Sequence, residues 1–162
     1  MKHGLALSLG LIGCAAAPFA LAAGRNQPLA ITPDELAYQN LPDLPQCVTV
    51  GVASGDPMSG PSTVVLKFAA NCRTGLHWHS ANEQIVMIKG SGVLQSQGGA
   101  PQPVAAGAYA MQPARHPHRF SCEAAGECVL YLASDGKFDI HYIDDSGKEI
   151  SLEEAQKQAG KM

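Results

Sequence analysis

Between Cys47 and Ile143 the chain is cut into short runs rich in β-branched and aromatic residues, separated by Gly, Pro, Asn and Asp at intervals too short for helices. The runs fall at residues 47–52, 63–68, 77–79, 83–89, 92–97, 104–109, 118–122, 128–133 and 138–143. Gly90-Ser91-Gly92, Gly98-Gly99, Ala125-Gly126 and Ser134-Asp135-Gly136 mark turns between them. Many short strands with regular turns predict an all-β sandwich or barrel over residues 47–145. Residues 23–46 carry Pro28, Pro33, Pro42 and Pro45, which forbid a long helix, so an irregular arm is expected there. Residues 146–162 form a tail. In it Ser151-Leu152-Glu153-Glu154 reads as a capping box that opens a short helix to about Ala159, with Gly160 as the stop.

Residues 1–22 look like an export signal rather than part of the fold. Lys2 and His3 precede an apolar stretch that ends in small residues, and Ala20-Leu21-Ala22 suits signal-peptidase cleavage. The expected location is periplasmic or secreted, with no membrane span in the mature chain. Leu11-Ile12-Gly13-Cys14 also matches a lipoprotein box, which would instead anchor the protein at Cys14. A formal charge of −3 gives no reason to expect nucleic acid or an anionic membrane as partner.

Setting Cys14 aside leaves Cys47, Cys72, Cys122 and Cys128, an even number suited to an oxidising compartment. If the runs at 47–52 and 63–68 pair antiparallel, Cys47 falls near residues 69–72. Cys122 and Cys128 flank a turn and sit opposite each other on a hairpin. Four cysteines allow three connectivities, and the strand reading favours Cys47–Cys72 and Cys122–Cys128.

The segment His77-Trp78-His79-Ser80-Ala81-Asn82-Glu83 carries the chemistry. On a strand, residues i and i+2 share a face, so His77 and His79 point the same way. A three-residue turn then returns Glu83 toward them. Two imidazoles and a carboxylate converging on one small volume predict a divalent metal ion. Trp78 faces the other way, toward the core or a second copy in a homodimer. His116 and His118 lie after Pro113 at the entry of a later strand, where one of them can complete the site.

At this point the sequence resembles the cupin superfamily, described by G-x5-H-x-H-x3-E-x6-G and G-x5-P-x-G-x2-H-x3-N. His77, His79, Glu83 and Gly90 fit the first motif, with Asn71 in place of its first Gly. Asn tolerates the left-handed backbone that Gly supplies. Gly107, Pro113 and His118 fit the second motif, with Arg115 in place of its second Gly and Cys122 in place of its Asn. The resemblance covers roughly residues 47–133 and implies a jelly-roll barrel with His77, His79, Glu83 and His118 as metal ligands. It leaves His116 in a turn. The signal and the closing Phe138-Asp139-Ile140-His141-Tyr142 are also similar to small exported bacterial cupins related to the metal-binding domain of a zinc-dependent anti-sigma factor.

Three imidazoles and one carboxylate suit Fe, Mn, Ni, Cu or Zn alike. Tyr109, Met111, Tyr131 and Gln84 are expected near the pocket, with Tyr109 as an acid–base candidate beside Glu83. Family resemblance also allows Glu83 to act as a base. Two functions follow for a small-molecule substrate or ligand. One is a metal-dependent dioxygenase, lyase or isomerase; the other is a non-catalytic exported metal or small-ligand binding or sensor module.

Overall fold

The computed structural model describes residues 29–160, so the expected signal segment, Cys14 and the start of the arm lie outside it. Two antiparallel sheets face each other across an apolar interior. The larger is built from β1 (Tyr38–Gln39), β2 (Val48–Gly55), β3 (Ser62–Phe68), β10 (Cys128–Ser134), β5 (Glu83–Lys89) and β8 (Tyr109–Gln112), in that spatial order. The smaller runs β11 (His141–Tyr142), β4 (His77–Trp78), β9 (His118–Cys122), β6 (Ser91–Ser96) and β7 (Gln102–Ala105). Helix α1 (Leu152–Ala159) closes the described chain with the expected box: the Glu154 amide donates to Ser151 Oγ at 3.2 Å, and the Ser151 amide donates to Glu154 Oε2 at 3.1 Å. Among the described residues no helix is long and apolar enough to cross a membrane.

Register layers the interior of the larger sheet, because side chains in directly opposed positions share a face. Ser62, Ser134, Glu83 and Gln112 are opposed in sequence across β3, β10, β5 and β8 and form a polar row at one end. Two residues further along each strand, Val64, Leu132, Ile85 and Ala110 form the next inward row. Leu66, Leu130 and Met87 follow, with Val50 beside Leu66. The interior therefore grades from polar to apolar along the barrel. Phe68 and Phe120, one from each sheet, meet edge to face at 5.0 Å within the core.

Three expectations about elements are revised. The arm carries a strand: β1 pairs with β2, beside a 3-10 turn over Pro33–Glu35 that Thr32-Pro33-Asp34-Glu35 leads one to expect, with Thr32 as its cap. Residues 104–109 are two strands rather than one. Gly107 takes φ 91°, and the chain turns there from β7, paired to β6 in the smaller sheet, into β8, paired to β5 in the larger. Of residues 138–143, only His141 and Tyr142 join a ladder. Phe138 spends its amide on Pro57 O at 2.7 Å, and the Asp139 carbonyl is taken by an imidazole. The two residues that replace motif glycines, Asn71 and Arg115, are the described non-glycine residues with positive φ, at 62° and 61°. The backbone kept the glycine conformation where the side chain changed.

Both disulfides form as expected, Cys47–Cys72 and Cys122–Cys128, each with Cα atoms 5.8 Å apart. They close segments of 25 and 6 residues. Loop-closure entropy makes the longer one worth more, about 3.5 against about 2 kcal/mol. Urea titration of the paired Cys→Ala variants is expected to show the larger loss of unfolding free energy for Cys47/Cys72. An equal or larger loss for Cys122/Cys128 would contradict this ranking.

Candidate metal centre

The three imidazoles come from the smaller sheet and the carboxyl from the larger one. His77 opens β4 and is directly opposed to His118, which opens β9. His79 follows β4, and Glu83 opens β5 after the intervening turn. Ring centroids of His77 and His118 are 4.5 Å apart, His77 and His79 4.9 Å, and His79 and His118 5.5 Å. The ligating atoms of the three lie within 4.8 Å of one another. Glu83 Oε2 reaches the group from across the barrel, 3.4 Å from His79 Nε2 and 3.8 Å from His118 Nε2. All four residues are buried.

A backbone carbonyl fixes each ring. His77 Nδ1–H donates to Gly75 O at 2.8 Å, His118 Nδ1–H to His116 O at 3.0 Å, and His79 Nδ1–H to Asp139 O. A carbonyl only accepts, so each Nδ1 carries the proton and each Nε2 keeps its lone pair. The anchor of His77 depends on distant packing. Gly75 lies against α1, and a Cβ on it would stand 2.6 Å from Ala155 Cβ. The helix is tied to the same segment by Gln156 Nε2 donating to Arg73 O and Arg73 Nη1 donating to Ala159 O, both at 3.4 Å.

Burial sets the charge state. It pushes Glu83 up to about 8, with Asp139 adding to the rise. It pulls His118 down to about 4. His77 is held well below the ordinary imidazole value by burial and then by the neighbouring His118 and His79, and His79 is also lowered by burial. Three neutral imidazoles thus aim lone pairs at one volume with no cation of the protein among them. That donor set fits a divalent metal ion.

Other expected pocket residues are placed elsewhere. Gln84, Tyr109 and Met111 lie on the outward phase of β5 and β8; Tyr109 is 61% exposed and Met111 53%. Tyr131 is opposed to Val86 on the same outer face. The Tyr109 hydroxyl meets Gln84 Oε1 at 3.4 Å, so its acid–base role has no support in the geometry, although the ring borders the cavity. The reason is phase: with Glu83 inward, its neighbour Gln84 and the opposed Met111 must face out. His116 is exposed in its turn. Trp78 turns away from the other rings and stacks on His141, with centroids 3.8 Å apart.

Sequence reasoning missed Ser62, Gln112 and Asp139. Ser62 and Gln112 were findable, because they are in phase with the inward Val64 and Ala110. Asp139 acts through its main-chain oxygen, which no side-chain pattern reveals.

The cupin-domain family model matches residues 64–134, the stretch that holds all four residues. No curated protein matches the chain significantly. Among solved structures, the polyketide cyclase RemF from Streptomyces resistomycificus aligns over 84% of this chain and 94% of its own, at 16% identity and TM-score 0.65. A cupin-2 domain protein from Rhodospirillum rubrum aligns over 75% and 83%, at 15% identity and TM-score 0.59. The DMSP lyase DddQ from Ruegeria pomeroyi aligns over 70% and 64%, at 14% identity and TM-score 0.58. At such identities the structural likeness is one of fold. With the two motifs, the family-model match and this jelly-roll barrel in agreement, residues 64–134 form a cupin domain.

Proposed function

We propose that the chain is an exported cupin in which His77, His79, Glu83 and His118 hold one divalent transition-metal ion, and that it acts as a metal-dependent enzyme on a small organic molecule. The observation that carries this reading is the set of three carbonyl-locked rings whose free Nε2 atoms converge beside Glu83. Such outer hydrogen bonds orient imidazole ligands and raise their basicity. The bound ion would supply Lewis acidity toward an oxygen of the substrate, and a redox-active ion electron transfer as well. Glu83 is the carboxyl within reach of the same volume, so it serves as fourth ligand or, released, as the group that takes and returns a proton. A lyase and a cyclase among the fold neighbours support an enzyme. Two disulfides support export, as does the apolar segment before Ala23. One observation favours the alternative of a non-catalytic binding module: the remaining polar groups in the row of Glu83, namely Ser62, Ser134 and Gln112, do not titrate near neutral pH.

Elemental analysis of protein recovered from its native compartment is expected to show stoichiometric metal, lost in His79→Ala. Wild-type protein that stays metal-free under every loading condition would end the proposal.

Glu83 gives a second check in the metal-free protein. A carboxyl whose folded value is raised stabilises the fold fully below its ordinary value of 4.5, and that contribution is lost as pH rises through about 8. Glu83→Gln removes the loss. Thermal and urea unfolding should therefore show the variant gaining stability relative to wild type between pH 5 and pH 8, by up to about 4 kcal/mol. With saturating zinc at pH 8 the order should reverse, because the variant lacks an anionic ligand. A flat difference across pH would contradict the assigned charge state.

A further inference from the structure

We infer that the cavity takes a small amphiphilic monoanion: a short apolar body carrying one carboxylate-type head. This rests on the metal reading above for the position of the head and goes beyond it in naming the substrate class.

The cavity spans the layers described for the larger sheet. Glu83 and Ser62 line it in the polar row, and Leu132, Ile85, Leu66 and Met87 line it below. Most of its polar wall is already committed. Thr74 Oγ1 accepts from the Phe120 amide at 2.8 Å, and the Ser134 hydroxyl donates to Gly136 O at 3.1 Å. The Asp139 carboxylate accepts from the Ser80 amide at 2.7 Å and faces His141 Nε2 at 3.6 Å. Two cavity-lining donors remain without a hydrogen-bond or ion-pair partner among the described residues, the Ser62 hydroxyl and the Lys137 ammonium. Both suit an anionic oxygen, and Lys137 is the cationic side chain on the cavity wall.

Charge fixes the valence of the ligand. Lys137 is the one Lys or Arg among the residues lining the cavity and has no ion-pair partner among the described residues, so one positive charge there is uncompensated. A monoanion neutralises it. The apolar layers fix the body. A hydroxyl placed against them has no partner, and each unpaired hydroxyl weakens binding roughly tenfold or more. A sugar of several hydroxyls is therefore disfavoured. Size sets the last limit: the cavity holds about 100 Å³, less than the ~150 Å³ that accommodates benzene, so the body is short.

The test uses the full mature chain loaded with zinc and three probes of similar length: pentanoate, 1-pentanol and xylose. Binding is read by calorimetry and ligand-observed NMR, and zinc content is measured on the same samples. Pentanoate is expected to bind at least tenfold more tightly than xylose. Lys137→Gln, an exposed substitution that leaves the core intact, should weaken pentanoate five- to tenfold and leave 1-pentanol unchanged. Ala110→Leu, which fills the second layer, should weaken pentanoate and 1-pentanol together without loss of zinc. Xylose binding as tightly as pentanoate overturns the inference, as does pentanoate binding indifferent to Lys137→Gln. Stoichiometric zinc with either of those outcomes sinks the substrate class and leaves the metal site standing. Lys137-dependent pentanoate binding in protein that retains no zinc sinks the metal site and leaves the substrate class standing.

Discussion

A strand offers each residue two directions, and in this barrel that restriction governs both the core and the site. The register that turns Val64, Leu66, Leu130, Leu132 and Met87 inward also turns Ser62, Ser134, Glu83 and Gln112 inward one row further on. A one-residue slip in β5 would carry Glu83 to the outer face and replace it with Gln84. The core valines and leucines thus fix the direction in which the carboxyl points. On the other sheet the direct pairing of His77 with His118 does the same for two imidazoles. The site is a by-product of core register at the open end of the barrel.

Burial then supplies the electrostatics. Four polar side chains inside an apolar shell are costly, and the cost is met in two ways. Each imidazole gives its Nδ1 proton to a main-chain carbonyl, and each stays neutral because burial disfavours the charged form. Glu83 keeps its proton to a pH of about 8 for the same reason. What remains unsatisfied is the set of Nε2 lone pairs, which is the feature a cation would use.

The anchors reach far along the chain. Gly75 holds His77 and is itself packed under α1, so the C-terminal helix supports a ring more than seventy residues before it. The Arg115 amide donates to His79 O at 2.7 Å from a left-handed residue, tying the turn before β9 to the strand end beside it. The loop after β10 contributes the Asp139 carbonyl. Three separate segments outside the paired strands therefore fix three rings, which explains how short strands such as β4 can hold a defined geometry.

Sequence alone determined the all-β class, the capping box of α1 and the convergence of His77, His79 and Glu83, and it favoured the two disulfide pairs without choosing among the three connectivities. All of these rest on local periodicity or short-range spacing, which a linear pattern records. Family resemblance added His118. Tertiary structure decided what local pattern leaves open. It divided residues 104–109 between two sheets at Gly107, because sheet membership depends on the partner strand and not on propensity. It placed Tyr109 and Met111 outside, because the phase of an alternating run is set by the neighbour it pairs with. It brought Asp139, Gly75 and His116 to the rings through main-chain oxygens, which every residue possesses and no residue type announces.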